Sequence, residues 1–283
     1  MNQWRLLVTP QKRGAINMAL DSVIADSVAK GLSPPTIRFY DWNPYCLSIG
    51  FNQTISEIEY VSCQELGIDV ARRPTGGRAV LHAKEFTYAV IIPAGNPVFR
   101  KSILGTYQII SDWLLEGLRK LGINAQQSEK RDRDSANSDY EKFCFALPLR
   151  YEIMVNNRKL IGSAQRRFPG VVLQHGSILI GSEHLKAAKV FDNNQQARKM
   201  MEKYLQKHTA CLEEFLCHIP DINDFAKMMS QIWEKMVQVS VHHGRISNSE
   251  MKAAESIQSK YSLLETEEFH INLNYQSQFI EVC

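Results

Sequence analysis

Side chains whose types suit binding or catalysis fall in four short segments of the chain. The first, Arg72-Arg73-Pro74-Thr75-Gly76-Gly77-Arg78-Ala79-Val80-Leu81-His82, sets arginines beside paired glycines. Glycine lets a backbone approach a ligand closely, and arginine holds an anion or a carbonyl oxygen. The same pattern also suits a surface turn between strands. It is not a Walker loop, because GxxxxGK[ST] is absent. The second segment is Phe143-Cys144-Phe145, directly after a polar stretch. A thiol there becomes a nucleophile only as the thiolate, which calls for a cationic neighbour; without one it reads as an ordinary buried cysteine.

The third segment runs from Arg158 to Arg167 and places Lys159 ahead of Gly162-Ser163-Ala164, whose small side chains leave room for a substrate. Lys159 equally suits the solvated face of an edge strand. The fourth, Leu173-Gln174-His175-Gly176-Ser177, holds a histidine next to a glycine between two strands. Such an imidazole can orient a substrate or take a proton, or serve the fold alone. The remaining histidines show neither HExxH nor Cys/His ligand spacing, so no metal is expected. Six scattered cysteines without a CxxC pair are expected to be free thiols.

These residues need a scaffold, and the sequence outlines one. Residues 15–30 read as a helix ending at Gly31, with Pro34 and Pro35 beyond it. Thr36–Tyr40 and Cys46–Gly50 are β-prone runs separated by Asp-Trp-Asn-Pro, which predicts a hairpin. Further strands are predicted at Ile68–Arg73 and Phe86–Ile92. From Ile103 to Leu121 apolar residues recur at steps of three and four, predicting an amphipathic helix that covers one sheet face. Gln126–Tyr140 is polar, without an apolar period, and reads as a surface loop. Strands are predicted at 150–155, 159–165 and 177–180, with Asn156-Asn157 suited to a tight turn. A helix is expected just after Pro220 and another over 247–261, with a short strand possible within 270–282.

The expected fold class is therefore α+β, a mixed or antiparallel sheet flanked by helices. Residues 1–190 are expected to form the catalytic core, and 191–283 a mainly helical C-terminal part of the same unit. With 33 basic against 30 acidic residues the net charge is only +3, so nothing marks a nucleic-acid or polybasic membrane protein. No apolar run approaches the roughly twenty residues that span a bilayer, and no secretory signal opens the chain. A cytoplasmic protein is expected.

Taken together and in order, these segments resemble the biotin/lipoyl protein ligase and lipoyl transferase superfamily, and within it the LipM-type octanoyltransferase branch. The resemblance includes Asn17 to Asp21, Ile37 to Pro44, Arg72 to His82, Cys144-Phe145, Lys159 to Gln165 and Gln174 to Ile178. It implies that Cys144 accepts an acyl group and that Lys159 lowers that thiol's pKa and helps bind the acyl carbonyl. It places Arg73, Thr75, Gly76, Gly77 and His82 along the acyl pocket, and Ser163, Gln165 and His175 around the reactive end. The implied donor is octanoyl-acyl carrier protein. The implied acceptors are lipoyl domains of 2-oxoacid dehydrogenase E2 subunits or glycine cleavage H protein. A thioester donor is already activated, so no ATP or other cofactor is expected. Three other readings use the same scaffold: an ATP-dependent lipoate-protein ligase, an amidotransferase taking octanoate from H protein, and a non-catalytic module that binds lipoyl domains. Arg72, Arg78, Arg166 and Arg167 are expected to form a basic rim for acidic carrier domains.

Overall fold

A computed structural model describes residues 3–54, 60–98, 102–128, 152–190 and 194–263. Two sheets organise these residues. The larger has eight strands in the order β11-β1-β2-β6-β10-β9-β8-β7: β1 (Gln3–Val8), β2 (Thr36–Tyr40), β6 (Glu85–Pro93), β7 (Gln126–Gln127), β8 (Ile153–Val155), β9 (Arg158–Phe168), β10 (Val171–Leu179) and β11 (Ser240–His243). The smaller joins β4 (Asp69–Arg72), β3 (Cys46–Ile49) and β5 (Val80–His82) in that order. Pairing is parallel along β11-β1-β2 and antiparallel from β2 onward, so the large sheet is mixed, in line with the expected class.

Alternation along β6 shows how the sheet is covered on both faces. Tyr88, Val90 and Ile92 join one apolar cluster, with Trp113 and Leu114 of α3 (Ile103–Lys120) and Phe225 and Trp233 of α5 (Ile222–Val237). Ala89 and Ile91 join a second cluster, with Met18, Ile24 and Val28 of α1 (Gly14–Ala29). Trp113, Trp233 and Trp4 stack edge to face in the first cluster, Trp4–Trp233 at 4.9 Å and Trp113–Trp233 at 5.3 Å between ring centroids. The described residues 194–263 are mainly helical, and their β11 pairs in parallel with β1. Three further helices, α2 (Tyr60–Glu65), α4 (Gln195–His208) and α6 (Asn248–Ile257), complete the described secondary structure apart from short 3₁₀ turns. No helix among the described residues is long and apolar enough to cross a membrane.

Local signals hold where chain geometry is restrictive. Gly31 adopts φ +69° just past α1, as a left-handed helix stop requires. Asn156 and Asn157 have φ of 50° and 60°, the two-residue turn joining β8 to β9. Ser102 and Asp221 cap α3 and α5 through their side-chain oxygens.

The hairpin expected of Thr36–Tyr40 and Cys46–Gly50 does not form. Both edges of β2 are taken by β1 and β6, so the turn after it carries the chain to the second sheet, where β3 lies between β4 and β5. His175-Gly176 lies inside β10, which runs unbroken from Val171. The strand requires glycine at 176, because a Cβ there would run into the Gly162 carbonyl and the Tyr88 ring. Cys144, most of the polar loop after Ser128 and the strand suggested within 270–282 lie outside the described residues.

Candidate acyl-transfer site

The glycine-containing loop is built by reciprocal backbone contact. Gly77 has φ +93°, which favours glycine, and a Cβ on Gly50 would overlap the Gly77 carbonyl. Arg73 is buried inside the turn and donates from Nε and Nη2 to Gly76 O at 3.0 and 2.7 Å, and from Nη2 to Arg78 O at 2.7 Å. Its Nη1 reaches the Ser48 carbonyl at 3.1 Å. Thus Arg73 shapes the loop while also lining the cavity behind it.

That cavity is narrow, about 30 Å³, room for a water or two. Its strand side comes from Gly162, Ser163 and Ala164 of β9 and His175, Gly176 and Ser177 of β10. Met18, Tyr40 and Trp42 close the apolar side. Arg73 and His82 join the same lining, so the loop and both hairpin segments picked out in the sequence converge on one hollow.

Two buried histidines stand at its wall, each fixed by hydrogen bonds at both ring nitrogens. His175 Nε2 lies 2.6 Å from Thr75 Oγ1, and Nδ1 lies 3.1 Å from Asp21 Oδ2. With a carboxylate as partner, Nδ1 carries the proton and Nε2 accepts from the threonine hydroxyl. Burial depresses the His175 pKa despite the neighbouring carboxylate, so the imidazole is neutral. Asp21 is itself fully buried. Burial alone would raise its pKa, but Arg38 at 2.6 Å and the His175 hydrogen bond together hold it below the ordinary value. Tyr40 also donates to Asp21 at 2.8 Å, and Arg38 reaches Asn17 Oδ1 at 2.6 Å.

His82 lies between Glu85 and Ser48, with Nδ1 2.8 Å from Glu85 Oε1 and Nε2 2.7 Å from Ser48 Oγ. Trp42 stacks on its ring at 4.1 Å and donates to Thr87 Oγ1 at 2.7 Å. Thr87 and Ser177 hydroxyls both donate to Glu85 Oε1, at 2.5 and 2.8 Å.

Lys159 is 1% exposed, which excludes the solvated edge position. Its ammonium is paired with buried Glu152. Thr75, Gly76, Gly77, Lys159 and Gln165 are not among the residues lining the cavity; Gln165 donates to Gln174 Oε1 at 2.9 Å instead. Gln174 in turn donates to Tyr88 OH at 3.2 Å, and that hydroxyl lies 2.7 Å from Ser163 Oγ. Burial pushes the Tyr88 phenol up to about 12, so it remains neutral.

The arginines expected to form a rim are largely engaged with backbone. Arg72 Nη1 donates to the carbonyls of Gly50, Phe51 and Gln53, Arg166 Nη1 to Pro74 O at 2.6 Å, and Arg167 Nη2 to Ser102 O at 2.8 Å. No group of three or more metal-ligating side chains occurs among the described residues.

The family described as the lipoyl protein ligase A/B catalytic domain matches residues 13–234. The chain belongs to this family. It is 36% identical over 263 residues to the octanoyltransferase LipM of Clostridioides difficile, covering 92% of this chain and 97% of that one. It is also 36% identical over 264 residues to the LipM octanoyltransferase of Staphylococcus epidermidis, covering 91% and 95%. Among solved structures it resembles a bipartite lipoate protein ligase from Thermoplasma acidophilum, studied with its E2 lipoyl domain, at TM-score 0.75 and 20% identity, covering 92% and 93%. A lipoate-protein ligase A bound with ATP follows at TM-score 0.70 and 22% identity, covering 92% and 94%. At such identities the likeness to the ligase structures speaks for the lipoyl ligase fold alone.

The sequence missed Asp21, Arg38, Ser48, Glu85 and Glu152 as structural partners of the site. A usable signal existed for Asp21 and Arg38: Asp21 stands four residues after Asn17 on a largely apolar helix, where buried polar groups require a partner such as the Arg38 guanidinium.

Proposed function

We propose that the protein transfers an octanoyl group from octanoyl-acyl carrier protein to a lysine of lipoyl-dependent carrier domains, through a thioester on Cys144. The observation that carries this reading is its similarity to octanoyltransferases over nine-tenths of the chain. In the first half-reaction the Cys144 thiolate attacks the donor's thioester carbonyl. The bond from that carbon to the pantetheine sulfur breaks, and the departing thiolate takes up a proton. In the second, the acceptor's neutral lysine amine attacks the acyl-enzyme, the new C–N bond forms, the amine loses a proton, and the Cys144 thiolate is released. The donor is already activated, so neither half-reaction calls for ATP. The acceptors proposed are E2 lipoyl domains and glycine cleavage H protein, in the cytoplasm where thiols stay reduced.

Three of the other cysteines, Cys46, Cys63 and Cys211, are buried and poor nucleophiles. Burial pushes the Cys46 thiol well up, Cys63 to about 12 and Cys211 to about 11, values at which almost no thiolate exists at neutral pH. Lys159 enters with a modified role. An ammonium already paired with a carboxylate stabilises a second anion less than a bare one does. Its N–H groups, as donors to the thioester carbonyl, therefore carry more of its contribution than its charge. The acyl tail is assigned to the cavity bounded by Gly162 to Ala164 and Met18.

Intact-mass spectrometry after mixing the protein with octanoyl-acyl carrier protein, without ATP, tests the reading. The expected result is a hydroxylamine-sensitive octanoyl adduct that is absent from Cys144→Ala and slow to form in Lys159→Ala. An adduct that forms only with ATP and free lipoate would refute it.

A further inference from the structure

Apart from the acyl cavity, the molecule carries a groove of about 550 Å³ whose position relative to that cavity is set by strand register. On β9 and β10 the opposed pairs Gly162↔Ser177, Ala164↔His175, Arg166↔Leu173 and Phe168↔Val171 lie on one face of the hairpin. The first two pairs line the acyl cavity. Arg166, Phe168 and Val171, toward the hairpin tip, line the groove. Pro74, beside the cavity-lining Arg73, lies in the groove wall as well. The cavity and the groove therefore follow one another along a single strand face.

The groove's chemistry is amphipathic. Its lining includes the rings of Phe51 and Phe168 and the methyl groups of Ala25 and Ala29 of α1. Arg166 is layered between the two rings, its guanidinium carbon 4.0 Å from the Phe51 centroid and 4.7 Å from that of Phe168. Its lining cations are Arg72, Arg166 and Lys260. The lining's one carboxylate, Asp26, is bridged by Lys30 at 2.6 Å. A ligand suited to these walls is linear and uncharged along its length, with amides and methyl groups, and ends in an anion.

We infer that this groove holds the phosphopantetheine arm of the thioester donor, with the thioester directed toward the acyl cavity and the phosphate at Lys260. The inference rests on the proposed function for the identity of the donor. Reach supports it: four residues of strand, from the Ala164 rung to the Phe168 rung, span about 14 Å. A phosphopantetheine arm from sulfur to phosphorus extends roughly 15 Å, counting the same reach per bond as a peptide chain.

Calorimetric titration with the non-transferable thioether S-octyl-phosphopantetheine tests the groove without requiring turnover. Two variants act independently, Lys260→Glu reversing the charge for the phosphate and Ala29→Trp filling the groove from the helix side. The expected result is about tenfold weaker binding in each, with S-octyl-cysteamine, which lacks the phosphate and most of the arm, binding both variants as it binds the wild type. Equal affinity of both variants and wild type for the phosphorylated thioether overturns the inference. So does a loss shared by the truncated thioether, or one confined to binding of the lipoyl-domain acceptor. S-octyl coenzyme A and S-octyl acyl carrier protein, tested alongside, show which source of the arm the groove prefers. Failure of the wild type to take octanoate from any thioester would refute the proposed function and leave the calorimetric result for the groove standing.

Discussion

Thr75 and His175, 100 positions apart in the chain, are joined by a 2.6 Å hydrogen bond between Oγ1 and Nε2. This contact ties the glycine loop to β10, and through His175 Nδ1 and Asp21 it ties both to α1. Thr75→Val keeps the side-chain shape but leaves the imidazole nitrogen without its donor, at about 1–3 kcal/mol. The expected outcome is a several-fold rise in KM for the octanoyl donor, a smaller change in kcat, and recovery in Thr75→Ser. Steady-state kinetics with urea denaturation of each variant separates this positioning effect from a general loss of fold.

The same histidine sets a pH dependence. Burial holds the His175 pKa below its ordinary 6.5. As pH falls through that ordinary value, the unfolded chain takes up the proton before the folded one does, so stability is full above about 6.5 and declines toward the depressed folded value. His184, also depressed by burial, acts in the same sense. The melting temperature of the wild type should fall between neutral pH and pH 5, and His175→Gln should flatten part of that slope while retaining the remainder due to His184. Parallel slopes in the two proteins would contradict the assignment.

Beneath His175, Asp21 and Arg38 form an ion pair with both side chains fully buried. Asp21→Ala strands the guanidinium in the interior, a loss of about 3–5 kcal/mol, whereas Asp21→Asn keeps a hydrogen-bonding partner and should cost less. Urea-unfolding midpoints of the two variants measure the difference.

How much of this was legible in the sequence depended on whether the deciding contact was local. The stop at Gly31, the Asn156-Asn157 turn and the amphipathic period of α3 are set by neighbouring residues, and all were readable. The Gly162-Ser163-Ala164 run of β9 was readable too, because small residues inside a strand need an explanation in packing, whereas His175-Gly176 reads as a break but lies inside β10. The supposed hairpin at β2 and β3 failed because strand partners are chosen by the whole sheet, and β1 and β6 hold β2 on either side. Likewise, the partner of Lys159 was hidden. Glu152 lies seven positions before it, across the β8–β9 turn, and only the folded hairpin brings the two charges together.

That pair gives a further test. Glu152→Gln removes the carboxylate from a buried ammonium and should destabilise the protein by about 3 kcal/mol. If Lys159 acts chiefly as a donor to the acyl carbonyl, acyl-enzyme formation should slow. If its charge matters most, freeing that charge should shift the pH profile of octanoyl-adduct formation to lower pH. Rates of adduct formation across pH, followed by intact mass, distinguish the two roles, and the expected result is a slower rate with little shift in the profile.

The cavity proposed for the acyl tail is narrow. At about 30 Å³ it is too small for an eight-carbon tail as it stands, so side chains must yield on binding. The strand side is formed partly by glycine and alanine, which have nothing to move, and Trp42 is held by stacking on His82 and by its hydrogen bond to Thr87. Arg73 is held by its hydrogen bonds, which leaves Met18, an unbranched thioether on α1, as the lining residue with the most rotamer freedom. It is therefore expected to set the depth of the pocket. Met18→Ala should cost about 2–5 kcal/mol in stability, and should raise kcat/KM for decanoyl relative to octanoyl donors several-fold. Competition between the two donors at equal concentration, read by the mass of the acyl-enzyme, measures the shift directly. An unchanged ratio in a folded variant would place the chain's terminus elsewhere.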